Sequence, residues 1–115
     1  MLDHERLDVY QCSLRFAAVS FQILESMPRG HAQLADQLRR ATISIPLNIA
    51  EASGKTGSAD RARFYAIARG SAMECGAILD LLRLQGLASS GPLEEAKPLL
   101  VRVASMLTKM CHRDS

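Results

Sequence analysis

The chain has 115 residues, with 14 Lys and Arg against 12 Asp and Glu for a formal net charge of +2. That length makes one domain, able to bury roughly two-thirds of its unfolded surface without help from disulfides or metal. The near balance of charge excludes a strongly basic binding domain, which usually has a pI above about 9, and leaves weaker contacts to RNA or DNA open.

Hydrophobic residues make up 48% of the chain, aromatics only 4%, and Trp is absent. Leu, Ala, Arg, Ile and Met suit packed helices better than sheets, so the fold class expected is all-α. Three widely spaced cysteines, Cys12, Cys75 and Cys111, read as reduced thiols. The first ten residues are charged and lack a signal-like apolar core, and no apolar run approaches the ~18 residues of a membrane span. A cytoplasmic protein without membrane contact is expected.

The first helix is expected over residues 5–26. Leu7, Tyr10, Leu14, Ala17, Phe21 and Leu24 form one stripe at steps of three and four, and Val9, Cys12, Phe16, Val19 and Ile23 form a second on nearly the opposite side. One stripe serves a monomeric bundle and the other needs a further partner, either a third neighbouring helix or another subunit, which makes Val9, Phe16 and Ile23 candidates for a subunit interface. Pro28 and Gly30 end the helix.

The second helix is expected over residues 31–52, with Leu34, Leu38, Ala41, Ile45 and Ile49 facing the core. Ile43, Leu47 and Ala50 lie off that stripe, which makes Ile43 and Leu47 interface candidates. Gln37, Arg40, Ser44, Asn48 and Glu51 share a narrow polar strip. Pro46 removes one backbone hydrogen bond and crowds the carbonyl of Thr42, which predicts a bend, not an end, because the apolar period continues to Ile49. The loop Ser53–Ser58 contains Gly54-Lys55-Thr56. The Gly that a nucleotide-binding loop needs five residues before the Gly-Lys is here Ile49, and a helix precedes the loop where that motif has a strand, so no nucleotide site is assigned.

The third helix is expected over residues 59–85, with Phe64, Ile67, Ala68, Ser71, Cys75, Ile78, Leu79 and Leu82 toward the core. Behind them run Ala66, Gly70, Met73 and Ala77, small and apolar where a solitary bundle shows charge, so these four join the interface set. Gly70 costs a helix interior roughly 1 kcal/mol against Ala, which close approach of another backbone would offset. The fourth helix is expected over residues 92–111, with Pro92 near its start and Pro98 as either an early kink or the true start. Residues 111–115 are expected to fray into a polar tail.

With helices two and three as an antiparallel hairpin, Glu51 falls beside Arg63 and Arg40 beside Glu74. Two ion pairs are therefore expected there, flanking a contact in which Ser44, Asn48 and Ser71 hydrogen-bond between helices. Such pairs set register more than they stabilise. Glu51 and Glu74 have no His, Cys or metal-ligand set beside them, because His4, His31 and His112 fall at helix ends or termini. No catalytic residue, cofactor or metal site is assigned. The cations Arg39, Lys55 and Arg61 are the nucleic-acid candidates, since a patch around Lys55 and Arg61 would repeat in every subunit of a ring and sum weak phosphate contacts.

The stretches QLRRATISIPLNIAEASGK, Gln37 to Lys55, and RFYAIARGSAMECGAILD, Arg63 to Asp80, resemble the 23S ribosomal-RNA intervening-sequence proteins, a group that includes accessory proteins of diversity-generating retroelements. The matching positions are Arg39, Arg40, Ser44, Pro46, Asn48, Glu51, Gly70, Ser71 and Glu74. Ala52, Lys55 and a first helix without Trp depart from the pattern. The resemblance implies an antiparallel four-helix bundle that assembles into a ring-like homo-oligomer, a homopentamer, with no enzymatic activity. It also implies RNA, DNA or a reverse transcriptase as partners of some relatives. Two functions follow as expectations: a homo-oligomer that binds nucleic acid, or a protein-binding scaffold or accessory subunit without nucleic-acid contact.

Overall fold

The computed structural model describes residues 1–114. A short 3-10 turn, Asp3–Arg6, precedes α1 (Asp8–Ser26), α2 (Ala32–Ser53), α3 (Ser58–Leu84) and α4 (Ser90–Asp114). The first helix starts later than expected because Leu7 is extended, at φ −80° and ψ 130°, and separates the 3-10 turn from α1. Each helix packs on its chain neighbours and α1 also packs on α4, so the four run round the bundle in sequence order. The contacts Arg69–Thr108 and Asp80–Lys97 show α3 and α4 antiparallel.

Helix boundaries follow local chemistry. Met27, before Pro28, takes an extended ψ of 137° and ends α1. The end of α3 closes as a Schellman motif: the amide of Gly86 donates to the carbonyl of Arg83 at 3.2 Å, and that of Leu87 to Leu82 at 2.9 Å. Gly86 sits at φ +66°, where an L side chain is strained, and a Cβ there would meet nothing within 4 Å. Gly86→Ala is therefore expected to cost about 1–2 kcal/mol through backbone strain alone, read as a lowered urea midpoint with an unchanged slope.

The core corrects the assignment of α1. Val9 (2% exposed), Phe16 (0%) and Ile23 (0%) lie inside the single subunit and are unavailable to a partner, while Phe21 is 41% exposed and Leu14 40%. The two stripes are equally periodic, and the face that turns inward also carries Ser13 and Ser20. Both hydroxyls are satisfied: Ser13 donates to the carbonyl of Tyr10 at 2.7 Å, and Ser20 meets the hydroxyl of Thr42 at 2.7 Å. Burial with a partner costs little, so the serines do not oppose the packing.

The second helix follows its expected stripe, with Leu38, Ala41, Ile45 and Ile49 buried and Pro46 accommodated inside it. In α3 the expected face holds from Ala68 to Leu82, but Tyr65 is buried in its first turns, while Phe64 is half-buried and Ile67 exposed. The last helix begins at Ser90, so Pro98 lies within it. It continues through Asp114, so the expected fraying at 111–114 does not occur; Ser115 lies outside the described residues.

Candidate nucleic-acid interface and assembly faces

The polar strip of α2 meets α3 at its middle and not at its ends. Ser71 donates to the Ser44 hydroxyl at 2.7 Å across the seam, whereas Asn48, expected to join that contact, bonds within α2, its amide donating to the Ser44 carbonyl at 2.8 Å and hydroxyl at 3.0 Å. The two flanking ion pairs do not form. Glu51 binds Lys55 at 3.3 Å along its own helix, and Arg63 approaches Asp60 at 3.8 Å. Arg40 and Glu74 make no ion pair among the described residues. These side chains are exposed, and an i,i+4 neighbour on the same helix costs less ordering than a pair across the seam.

From the Ser44–Ser71 register, Glu51 and Glu74 lie about 15 Å apart along the bundle, at 1.5 Å per helical residue. They cannot share a substrate atom. Among the described residues no group of three His, Cys, Asp or Glu side chains is placed to hold a metal.

Where α2 turns into α3, cations gather round one ring. The Lys55 ammonium lies 5.2 Å from the centre of Phe64 and the Arg63 guanidinium 4.5 Å from it. Arg61 donates to the carbonyls of Thr56 at 3.0 Å and Lys55 at 3.4 Å, which ties the loop to the first turn of α3. That helix starts after Gly57 without a side-chain cap, so its positive end opens toward the same loop. Arg39 does not belong to this group. It pairs with Asp36 at 2.9 Å and stands about 24 Å from Lys55 along α2, at 1.5 Å per residue.

Among the apolar residues left outside the core, two groups lie on α2 and between α3 and α4. Leu47 (63% exposed) and Ile43 (40%) form a ridge on the outer face of α2. Between α3 and α4 lies an open groove of about 370 Å³, with Ala72, Gly76, Ala77, Leu100 and Ala104 along it and Met73 and Val101 standing at its rims. Ala66 and Gly70 continue the exposed α3 row. No atom would lie within 4 Å of a Cβ at Gly70 or Gly76, so neither glycine serves a close contact inside the subunit.

Periodicity also missed a buried polar chain. Ser20, Thr42 and Cys75 link α1, α2 and α3, with the Cys75 sulfur 3.8 Å from the Thr42 hydroxyl. Burial pushes the Cys75 thiol up to about 12, against smaller lowering by Thr42. Thr42 also precedes Pro46 by one turn, the only local signal that its surroundings are unusual.

A protein-family description, the 23S rRNA-intervening sequence proteins, matches residues 5–109. The chain belongs to that family. The resemblance on Gln37–Lys55 and Arg63–Asp80 thus extends over all four helices. A crystal structure of a protein of unknown function from the S23 ribosomal protein family of Bacteroides thetaiotaomicron superposes with a TM-score of 0.82 at 23% identity, covering 90% of this chain and 97% of that one. At that identity the likeness carries the fold alone. A search of curated proteins found no match. No described helix of this family member is long and apolar enough to cross a membrane.

Proposed function

We propose that the protein is a non-enzymatic, homo-oligomeric helical bundle whose ring, a pentamer by family resemblance, repeats the α2–α3 loop as a cationic surface for structured RNA or DNA. The observation that carries this reading is the grouping of Lys55, Arg61 and Arg63 at one end of the bundle beside the uncapped start of α3. One such loop is weak, since Glu51 and Asp60 sit among its cations. Repetition round a ring multiplies the weak contacts by holding them at high effective concentration. The exposed Leu47 ridge and the Met73 and Val101 rims supply the apolar surface that assembly would cover.

Filter binding of duplex DNA and structured RNA across a salt series tests the reading. The logarithm of the affinity is expected to fall linearly with log salt, and Lys55→Gln to reduce the slope on duplex DNA by about 0.9 for each phosphate contact removed. Salt-independent binding, or no binding at low salt, would remove nucleic acid from the function. A second reading, an accessory subunit for a protein such as a reverse transcriptase, is favoured by Leu14 and Phe21, an exposed apolar pair on α1.

A further inference from the structure

Resting on the homo-oligomeric reading, we infer that the contact between subunits is heterologous: the Ile43–Leu47 ridge of one chain seats in the α3–α4 groove of the next, with α2 antiparallel to the α3 it meets. Shape is the first support. The ridge offers two large branched side chains, 40% and 63% exposed, and the groove has Ala72, Gly76, Ala77 and Ala104 among its lining, between the larger Met73, Leu100 and Val101. Large side chains entering a channel of Ala and Gly give ridge-into-groove packing, whereas groove against groove leaves a void.

Charge decides the polarity. The ridge carries Arg40 at one end, without an ion-pair partner among the described residues, and Glu51 at the other. The groove carries Asp80 and Lys97 at one end, bridged at 3.0 Å, and beyond its other end on α3 stands Arg69, whose hydrogen bond goes to the neutral Thr108 hydroxyl at 2.7 Å. Arg40 and Glu51 are eleven residues apart, as are Arg69 and Asp80, so each pair spans about 16.5 Å of helix. Antiparallel docking brings Arg40 level with Asp80, Ile43 level with Ala77, Leu47 level with Ala72 and the Met73 rim, and Glu51 level with Arg69. Parallel docking puts Arg40 on Arg69 and Glu51 on Asp80, like charge against like.

A two-fold contact of ridge on ridge would also bring Arg40 to Glu51. It would stack Leu47 and Ile43 knob against knob and leave Met73 and Val101 in water, so it covers less of the exposed apolar surface. Ridge into groove uses two different faces, and each added subunit presents a fresh copy of both. Such a contact closes into a ring or runs on as a filament, and does not stop at two.

Mixing two assembly-blocked variants tests this. Leu47→Arg spoils the ridge and Ala77→Arg the groove; both positions are exposed, and the matching positive charges keep the altered surfaces apart. Each variant alone is expected to be a monomer by light scattering, with the helical circular dichroism of the wild type. An equimolar mixture is expected to form heterodimers and stop there, because one intact ridge meets one intact groove. A wild-type oligomer whose variants stay monomeric on mixing would overturn the heterologous contact while leaving assembly intact. Variants that still assemble on their own would overturn it too. A wild-type chain that is monomeric at tens of micromolar would instead remove the assembly reading, and this contact with it.

Discussion

Phe16→Ala is expected to destabilise the protein by about 3–5 kcal/mol, the range for removing a fully buried aromatic side chain, and Phe21→Ala by about 1 kcal/mol or less. The two residues lie on one helix and differ in little but the side they face. Phe16 is 0% exposed and Phe21 41%. Denaturant unfolding of both variants measures the difference directly. If the costs were reversed, the placement of α1 in the bundle would be wrong by half a turn. Had Val9, Phe16 and Ile23 formed a subunit interface, Phe16→Ala would mainly change the concentration dependence of unfolding. With these residues inside the subunit, the loss is expected at every protein concentration.

The second large effect is expected at Thr42. Thr42→Val preserves the shape of the side chain but strands the Ser20 hydroxyl, which is 0% exposed and has its side-chain partner only 2.7 Å away in Thr42. A buried group left without its partner costs about 1–3 kcal/mol. Adding Ser20→Ala removes the stranded hydroxyl, so the double variant should recover part of that loss. A double-mutant cycle therefore measures the Ser20–Thr42 coupling. Strict additivity of the two single costs would mean that the hydroxyls do not act together. Cys75 stands at the far side of Thr42, and its raised thiol pKa marks the same dry interior.

Much of the fold is legible in the order of residues because helical periodicity is local. The stripe Leu38, Ala41, Ile45, Ile49 repeats at helical steps, and the turns at Pro28 and Gly86 act through the φ and ψ of one or two residues. The contact between α2 and α3 is legible at Ser44 and Ser71, since a short loop fixes which residues of a hairpin lie abreast. Its flanking charges are not legible. Whether Glu51 turns to Arg63 or Lys55 depends on exposed rotamers, where differences of a few tenths of a kcal/mol decide.

What the sequence by itself determined is the all-α class, four helices with breaks near Pro28, Gly54 and Gly86, the run of α2 through Pro46, and membership of the matching polar pattern on α2 and α3. Only the tertiary structure decided which of two equally apolar stripes on α1 turns inward, because that choice depends on surfaces of α2 and α4 far along the chain. Thr42 is the clearest instance: it lets Ser20 enter the core, and no periodicity within α1 contains that information. The same holds for the proposed interface. Small residues on α3 and α4 become a groove only when the two helices lie side by side, and the ridge that suits it is on α2.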